Sequence, residues 1–257
     1  MNVQIDQWQG KNVWLVGASS GIGQALAKKL MSLGANVALS ARRKEPLDAL
    51  VAGNTNAQST HLVLPMDATV SEQVKAAHRA IRQQWPKIDL IIWLAGTYKA
   101  MRADALDLPL IKQTIDANLT SVYNGLDAFL PDLIAQKSGA IALVSSVAGF
   151  RGLPKAIVYG PTKAALINLA EVLYNDLKPY GISVYLINPG FVETPLTAQN
   201  EFKMPALISS EQAADEIIKG FAKGRFEMHF PKRFTRILKL MRLLPYRIYF
   251  ALVKNVA

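Results

Sequence analysis

A single doubly wound α/β domain, with a mainly parallel sheet and helices on both of its faces, is what this sequence predicts. Apolar runs of strand length alternate with longer segments whose apolar residues recur at helical spacing. A glycine-rich turn joins the first such run to the first such segment, as a crossover between parallel strands requires. Of the 257 residues 51% are hydrophobic, enough for one large core at a length where α/β chains commonly remain one domain.

The elements follow in order. KNVWLV, residues 11–16, is an apolar run that stops at the small residues of GASSGIG; QALAKKLMSLG then reads as a helix ending at Gly34. NVALSA, residues 36–41, is expected as the second strand and HLVLPMD, residues 61–67, as the third. A polar helix around residues 71–84 precedes IDLIIWLAG, residues 88–96, a buried strand that again ends in small residues. A helix from about Pro109 to Ala128, a strand GAIALVSS, a helix headed by Tyr159 and a strand ISVYLINPG complete the alternation. FVETPLTAQNEFKMPALIS, residues 191–209, then leads to a helix opened by SSEQ, where Ser209 and Gln212 have capping-box spacing.

Composition narrows the chemistry. There is no cysteine, so disulfides and thiolate sites are excluded, and His61, His78 and His229 lack ligand spacing, so no metal site is expected. The formal charge of +10 is local: residues 1–222 carry 20 basic and 18 acidic side chains, residues 223–257 nine and one. A balanced body weighs against a nucleic-acid binder. The start of the chain does not read as a secretion signal, which makes the cytoplasm the default location. Residues 1–230 are expected to form the main domain and 231–257 a basic amphipathic extension. Arg236, Lys239 and Arg242 recur there every third residue beside Ile237, Leu238 and Leu240, with Pro245 breaking the pattern. Such a segment suits a peripheral position on an anionic membrane surface, or packing over the substrate site or a second subunit.

In a doubly wound sheet ligands lie beyond the carboxyl ends of the strands. Gly17 to Gly23, Arg42, Asp67, Ala95 with Gly96, Ser146, and Pro189 with Gly190 all fall at such ends. Glycines at 17, 21 and 23 permit close backbone approach, and the helix start after them offers unpaired N–H groups to a pyrophosphate. The domain is thus of Rossmann type, although Gly-x-x-x-Gly-x-Gly is one residue longer than the common fingerprint. Ala41 stands where an NAD site usually carries a carboxylate, while Arg42 and Arg43 offer paired donors to a 2′-phosphate, so NADP(H) is expected over NAD(H). Tyr159 and Lys163, one helical turn apart, allow an ammonium to ease ionisation of a phenol.

With these residues in view the chain resembles the short-chain dehydrogenase/reductase family from about Gly10 to Pro231. The resemblance rests on Gly17-Ala18-Ser19-Ser20-Gly21-Ile22-Gly23, Asp67, Ala95-Gly96, Asn118, Ser146, Tyr159, Lys163, and Pro189-Gly190 with Thr194. It implies that Tyr159 is the general acid, that Lys163 binds the nicotinamide ribose and lowers the tyrosine pKa, and that Ser146 polarises a substrate carbonyl. Asn118 would support a water leading to Lys163. Ser19, Ser20 and Ile22 would line the phosphates, Asp67 with Ala68 the adenine, Ala95 and Gly96 the adenosine ribose, and Pro189, Gly190, Val192 and Thr194 the carboxamide. The implied activity is NADP(H)-dependent hydride transfer to or from an apolar carbonyl or alcohol, in a homodimer or homotetramer built through the Tyr159 helix and its neighbour. A mobile lid at about 191–208, apolar through Phe191, Leu196, Phe202, Met204 and Leu207, goes with it. A non-catalytic NADP-binding sensor or interaction protein is the alternative. Departures are Val16 for the usual threonine, Trp93 and Leu94 for the usual asparagines, and Pro161 inside the catalytic pair.

Overall fold

The computed structural model of the protein describes residues 2–54, 56, 59–199 and 204–254. Among these, seven strands form one sheet: β1 (Asn12–Val16), β2 (Asn36–Ser40), β3 (His61–Val63), β4 (Leu90–Trp93), β5 (Ala140–Val144), β6 (Ser183–Pro189) and β7 (Glu227–Phe230). Their order is β3-β2-β1-β4-β5-β6-β7, and every neighbouring pair is parallel. Nine α-helices accompany them: α1 (Gly21–Ser32), α2 (Glu45–Ala52), α3 (Ser71–Gln84), α4 (Leu108–Ile115), α5 (Ser121–Gln136), α6 (Tyr159–Leu177), α7 (Ser210–Ala222), α8 (Lys232–Arg242) and α9 (Tyr246–Val253).

The period of two along each strand divides the core. β1 sends Val13 and Leu15 to a cluster with α1, α2 and α7, and Trp14 and Val16 to one with α3, α5 and α6. Both faces are covered, so the central strands β1, β4 and β5 are nearly continuous apolar runs, as a parallel sheet demands.

The second face is built on aromatic side chains. Trp14 meets Trp93 and Phe129 edge-on at 6.2 Å each and stacks on His78 at 6.0 Å. Its indole donates to Ser40 Oγ at 2.9 Å, and that of Trp93 to Ser121 Oγ at 3.3 Å. Trp93 fits because Gly125 leaves room: a Cβ there would lie 2.3 Å from the ring. Packing and two indole hydrogen bonds therefore brace the central strands where asparagine side chains were expected.

The start of the chain is tied to the far half of the sheet. Asn2 exchanges hydrogen bonds with the Val184 backbone at 2.6 and 3.2 Å, Val3 N–H donates to Ser183 Oγ at 3.0 Å, and Ile5 N–H to Phe221 O at 3.0 Å.

Two features depart from the sequence reading. The helix expected from Pro109 to Ala128 is α4 and α5 joined by a π-helical turn, Asp116–Thr120. α2 and β7 were not expected. The C-terminal extension forms α8 and α9 against the domain, with Phe234 and Leu238 joining the second core cluster. Thr235 Oγ1 contacts His229 Nδ1 at 2.6 Å, and Lys239 pairs with Glu227. Arg151, on the loop after β5, donates to Met241 O at 2.8 Å and Leu244 O at 2.7 Å and lies over the Tyr249 ring at 4.0 Å, while Tyr249 OH donates to Gly152 O at 2.8 Å. The capping box of α7 is present, with both Ser209–Gln212 bonds made.

Candidate active site

β1 and β4 are neighbours, yet the chain leaves β1 toward β2 on one side and β4 toward β5 on the other. A crevice opens beyond the carboxyl ends of such a pair. The glycine turn lies there, and its glycines are required. Gly17 and Gly21 have φ of +98° and +54°; a Cβ on Gly17 would sit 2.8 Å from Ala95 N, one on Gly21 2.8 Å from Thr194 Cγ2, and one on Gly23 2.1 Å from Gly17 O. The loop after β4 and the segment after β6 thus close directly on the start of α1. That start has no acidic residue in its first turn, and the Ser20 side chain caps none of its N–H groups. Free amides, a positive helix end and glycine backbone fit a dinucleotide pyrophosphate.

Arg42 and Arg43 are exposed just beyond β2. The Asp67 carboxylate accepts from Thr69 N–H at 2.9 Å and Thr69 Oγ1 at 2.7 Å. Those bonds hold its carboxyl below the usual range, and the charge of Arg42 adds to the effect. The next residue is fixed too, since Asn124 Nδ2 donates to Ala68 O at 3.1 Å.

The π turn places Asn118, fully buried, against the loop after β4. Its Oδ1 accepts from Thr97 N–H at 2.7 Å, and its Nδ2 donates to Thr97 O at 3.0 Å and Thr162 Oγ1 at 3.2 Å. A Cβ on Gly96 would stand 3.0 Å from Asn118 Oδ1 and 3.5 Å from Lys163 Nζ, so three separated motifs meet here. Pro161 is the third residue of α6, within the first turn, where its missing N–H leaves no gap in the helix. α6 therefore carries Tyr159 and Lys163 on one side, with Nζ 5.6 Å from the phenol ring centre. Lys163 is buried and donates to Val144 O at 3.0 Å. Ser146, at the end of β5, accepts from Ala148 N–H at 3.1 Å, and its hydroxyl is close enough to the Tyr159 phenol to favour its ionised form. Its neighbour Ser145 turns away and donates to Lys163 O at 2.7 Å.

Burial governs the protonation of this pair. Desolvation pushes the Tyr159 phenol up to about 12, against the pull of the Ser146 hydroxyl, and brings the Lys163 ammonium down to about 8. Loss of water outweighs the Ser146 hydroxyl in setting the direction of the phenol's shift, and the neighbouring Tyr98 adds to it. Tyr98 was missed in the sequence. Its ring packs edge-on against Tyr159 at 4.9 Å, and its carbonyl accepts from Gln199 Nε2 at 2.7 Å, which ties the segment after β6 to the loop after β4. An aromatic two residues beyond Gly96 was the only signal. Val192 and Ile208 pair as a short bridge after β6; Phe202 lies outside the described residues.

Residues 11–204 match the family model described as short chain dehydrogenase. An uncharacterized oxidoreductase of Myxococcus xanthus is 33% identical over 241 residues, 94% of this chain and 95% of the relative. Dehydrogenase/reductase SDR family member 7 of Mus musculus is 31% identical, over 83% of this chain and 67% of its own. Among solved structures, a short-chain dehydrogenase of Sphingobium yanoikuyae in complex with NADPH is 26% identical, with a TM-score of 0.78 over 92% of this chain and 97% of that one. A Burkholderia phymatum short chain dehydrogenase/reductase in complex with NAD has a TM-score of 0.82 at 23% identity, over 92% and 94% of the two chains.

Proposed function

The chain belongs to the short-chain dehydrogenase/reductase family and is an oxidoreductase, and from that premise we propose that it reduces an apolar ketone or aldehyde with NADPH, or oxidises the matching alcohol when cofactor ratios reverse. The observation that carries this reading is the meeting of Ser146, Tyr159 and Lys163 beside Gly96 and Asn118 at the carboxyl ends of β4 and β5.

When bound, the nicotinamide supplies or receives the hydride. Charge then grows on the carbonyl oxygen, and the Ser146 and Tyr159 hydroxyls answer it, one by hydrogen bonding and one by giving up its proton. The protonation states suit reduction: with Tyr159 near 12 and Lys163 near 8, the resting pair at neutral pH is a loaded phenol beside an ammonium. Lys163 steadies the phenolate that remains. Asn118 has both amide atoms engaged, so its part is to hold Thr97 and Thr162 around Lys163.

Arg42 and Arg43, with no carboxylate at Ala41, support NADP(H) over NAD(H). An apolar substrate is supported by Phe191, Leu196, Met204 and Leu207 along the proposed lid. Exposed Tyr123 on α5 and Val172 on α6 support self-association through those helices.

The test is NADPH oxidation against a panel of lipid-like, steroid-like and short aliphatic carbonyls, repeated with NADH. Tyr159→Phe is expected to lower turnover at least about a thousandfold while leaving NADPH binding within a few-fold. Turnover retained in that variant rejects the acid assignment.

A further inference from the structure

Among the described residues, eighteen large apolar side chains are exposed, and seven of them fall between Ile237 and Leu252. That is a cluster on one part of the surface. α8 turns Phe234, Thr235 and Leu238 inward and leaves Ile237 and Leu240 outside, one turn beyond the exposed Arg233 and Arg236. Leu243, at the junction of the two helices, is 80% exposed. α9 buries only Tyr249 and Val253 and shows Tyr246, Ile248, Phe250 and Leu252 to solvent. No described helix is long and apolar enough to cross a membrane. The surface is two-sided in chemistry: apolar tips surrounded by guanidinium groups whose stems can lie along them.

We infer that the outer face of α8 and α9 is a docking surface for an anionic lipid bilayer, which the protein binds peripherally. The charge selects this occupant. Between Pro231 and Lys254 there are seven lysine and arginine side chains and no aspartate or glutamate. Lys239 is answered by Glu227, and a second copy meeting this face about a two-fold axis brings the other six cations against six, with no carboxylate side chain in the segment to answer them. An anionic headgroup layer supplies the missing sign, and its acyl boundary takes the leucine, isoleucine and phenylalanine tips.

The surface is also rigidly joined to the crevice. Phe234 packs on Phe191 at 5.7 Å, and its Cδ1 would lie 3.2 Å from a Cβ on Gly190. Arg151 fastens the α8–α9 corner to the loop that follows Ser146. Docking therefore holds the loops after β5 and β6, both at the crevice, next to the lipid.

Vesicle binding requires no turnover, so it can fail without affecting the redox reading, and the reverse also holds. The full chain is incubated with vesicles of phosphatidylcholine alone, or of phosphatidylcholine with phosphatidylglycerol, and sedimented. Binding to the anionic vesicles, reversed by high salt, is expected, with little binding to the neutral ones. Arg236→Gln/Arg242→Gln should weaken partitioning about 25-fold, at about fivefold per charge. Leu240→Asp/Leu243→Asp should weaken it at least about tenfold, while NADPH binding and melting temperature stay those of the parent, since both side chains are exposed. The inference is overturned if the parent chain stays in the supernatant of anionic vesicles or binds both vesicle types equally. It is overturned as well if Leu240→Asp/Leu243→Asp splits an oligomer in sedimentation velocity while vesicle binding is unchanged.

Discussion

Lys163 holds its charge at a cost. In the unfolded chain a lysine keeps its proton up to about 10.5, whereas here burial brings the value to about 8. The unfolded state therefore binds more protons between those values, and stability rises as pH climbs through them. Lys163→Met is expected to stabilise the ligand-free protein at neutral pH by about 2 kcal/mol, or about 4–8 °C in Tm for a chain of this size. The gain should shrink as pH approaches 10.5, and turnover should be lost; thermal melts across pH follow both. Tyr159 has the opposite sign: its phenol titrates later than in the unfolded chain, so its contribution is complete below about 10 and lost as pH rises toward 12. At this scale the sequence was informative where backbone geometry fixes the partner. Tyr159 and Lys163 share a helix side by spacing alone, and Gly17 and Gly23 had to approach other backbone. The direction of the phenol's shift was not legible, because it depends on how much water the folded loops exclude. Neither was Tyr98, whose contact with Tyr159 depends on the path of a loop.

A break in helical geometry positions Asn118, and it is invisible to hydrophobic periodicity, since a π turn of five residues barely disturbs a twenty-residue apolar pattern. β7 was hidden for a related reason: EMHF is four residues long and only half apolar, and becomes a strand because the edge of β6 is there to pair with. The paired substitution at Gly125 and Trp93 gives a direct test of the packed second face. Gly125→Ala should cost about 1–3 kcal/mol in urea denaturation through overpacking against the indole, and Trp93→Phe in the same chain should recover part of that loss. Arg151→Ala removes a guanidinium bonded to two carbonyls and stacked on Tyr249. Hydrogen exchange across α9 is expected to accelerate at least about tenfold, with β1 and β4 unchanged. Acid should loosen the same region. Burial, helped by Lys232, brings His229 down to about 4, so stability falls as pH drops from about 6.5 toward that value and the proton disturbs the contact with Thr235.

For the whole molecule, the strand alternation was enough to anticipate a mainly parallel sheet of six strands, because most crossover helices announce themselves by their own periodicity, α2 being the exception. Self-association through the Tyr159 helix and its neighbour came from the family resemblance alone, and the proposal for it rests on exposed Tyr123 and Val172. Tyr123→Glu with Val172→Glu is expected to give monomers in sedimentation velocity while the fold, read by circular dichroism, persists. The amino-terminal tie to β6 bears on the order of events in synthesis. Asn2 finds its partner Val184 across 182 positions. On a ribosome residues 2–5 must therefore remain unattached to β6 until residue 184 has emerged, and a proteolytic probe directed at them on stalled nascent chains should lose access only after that point.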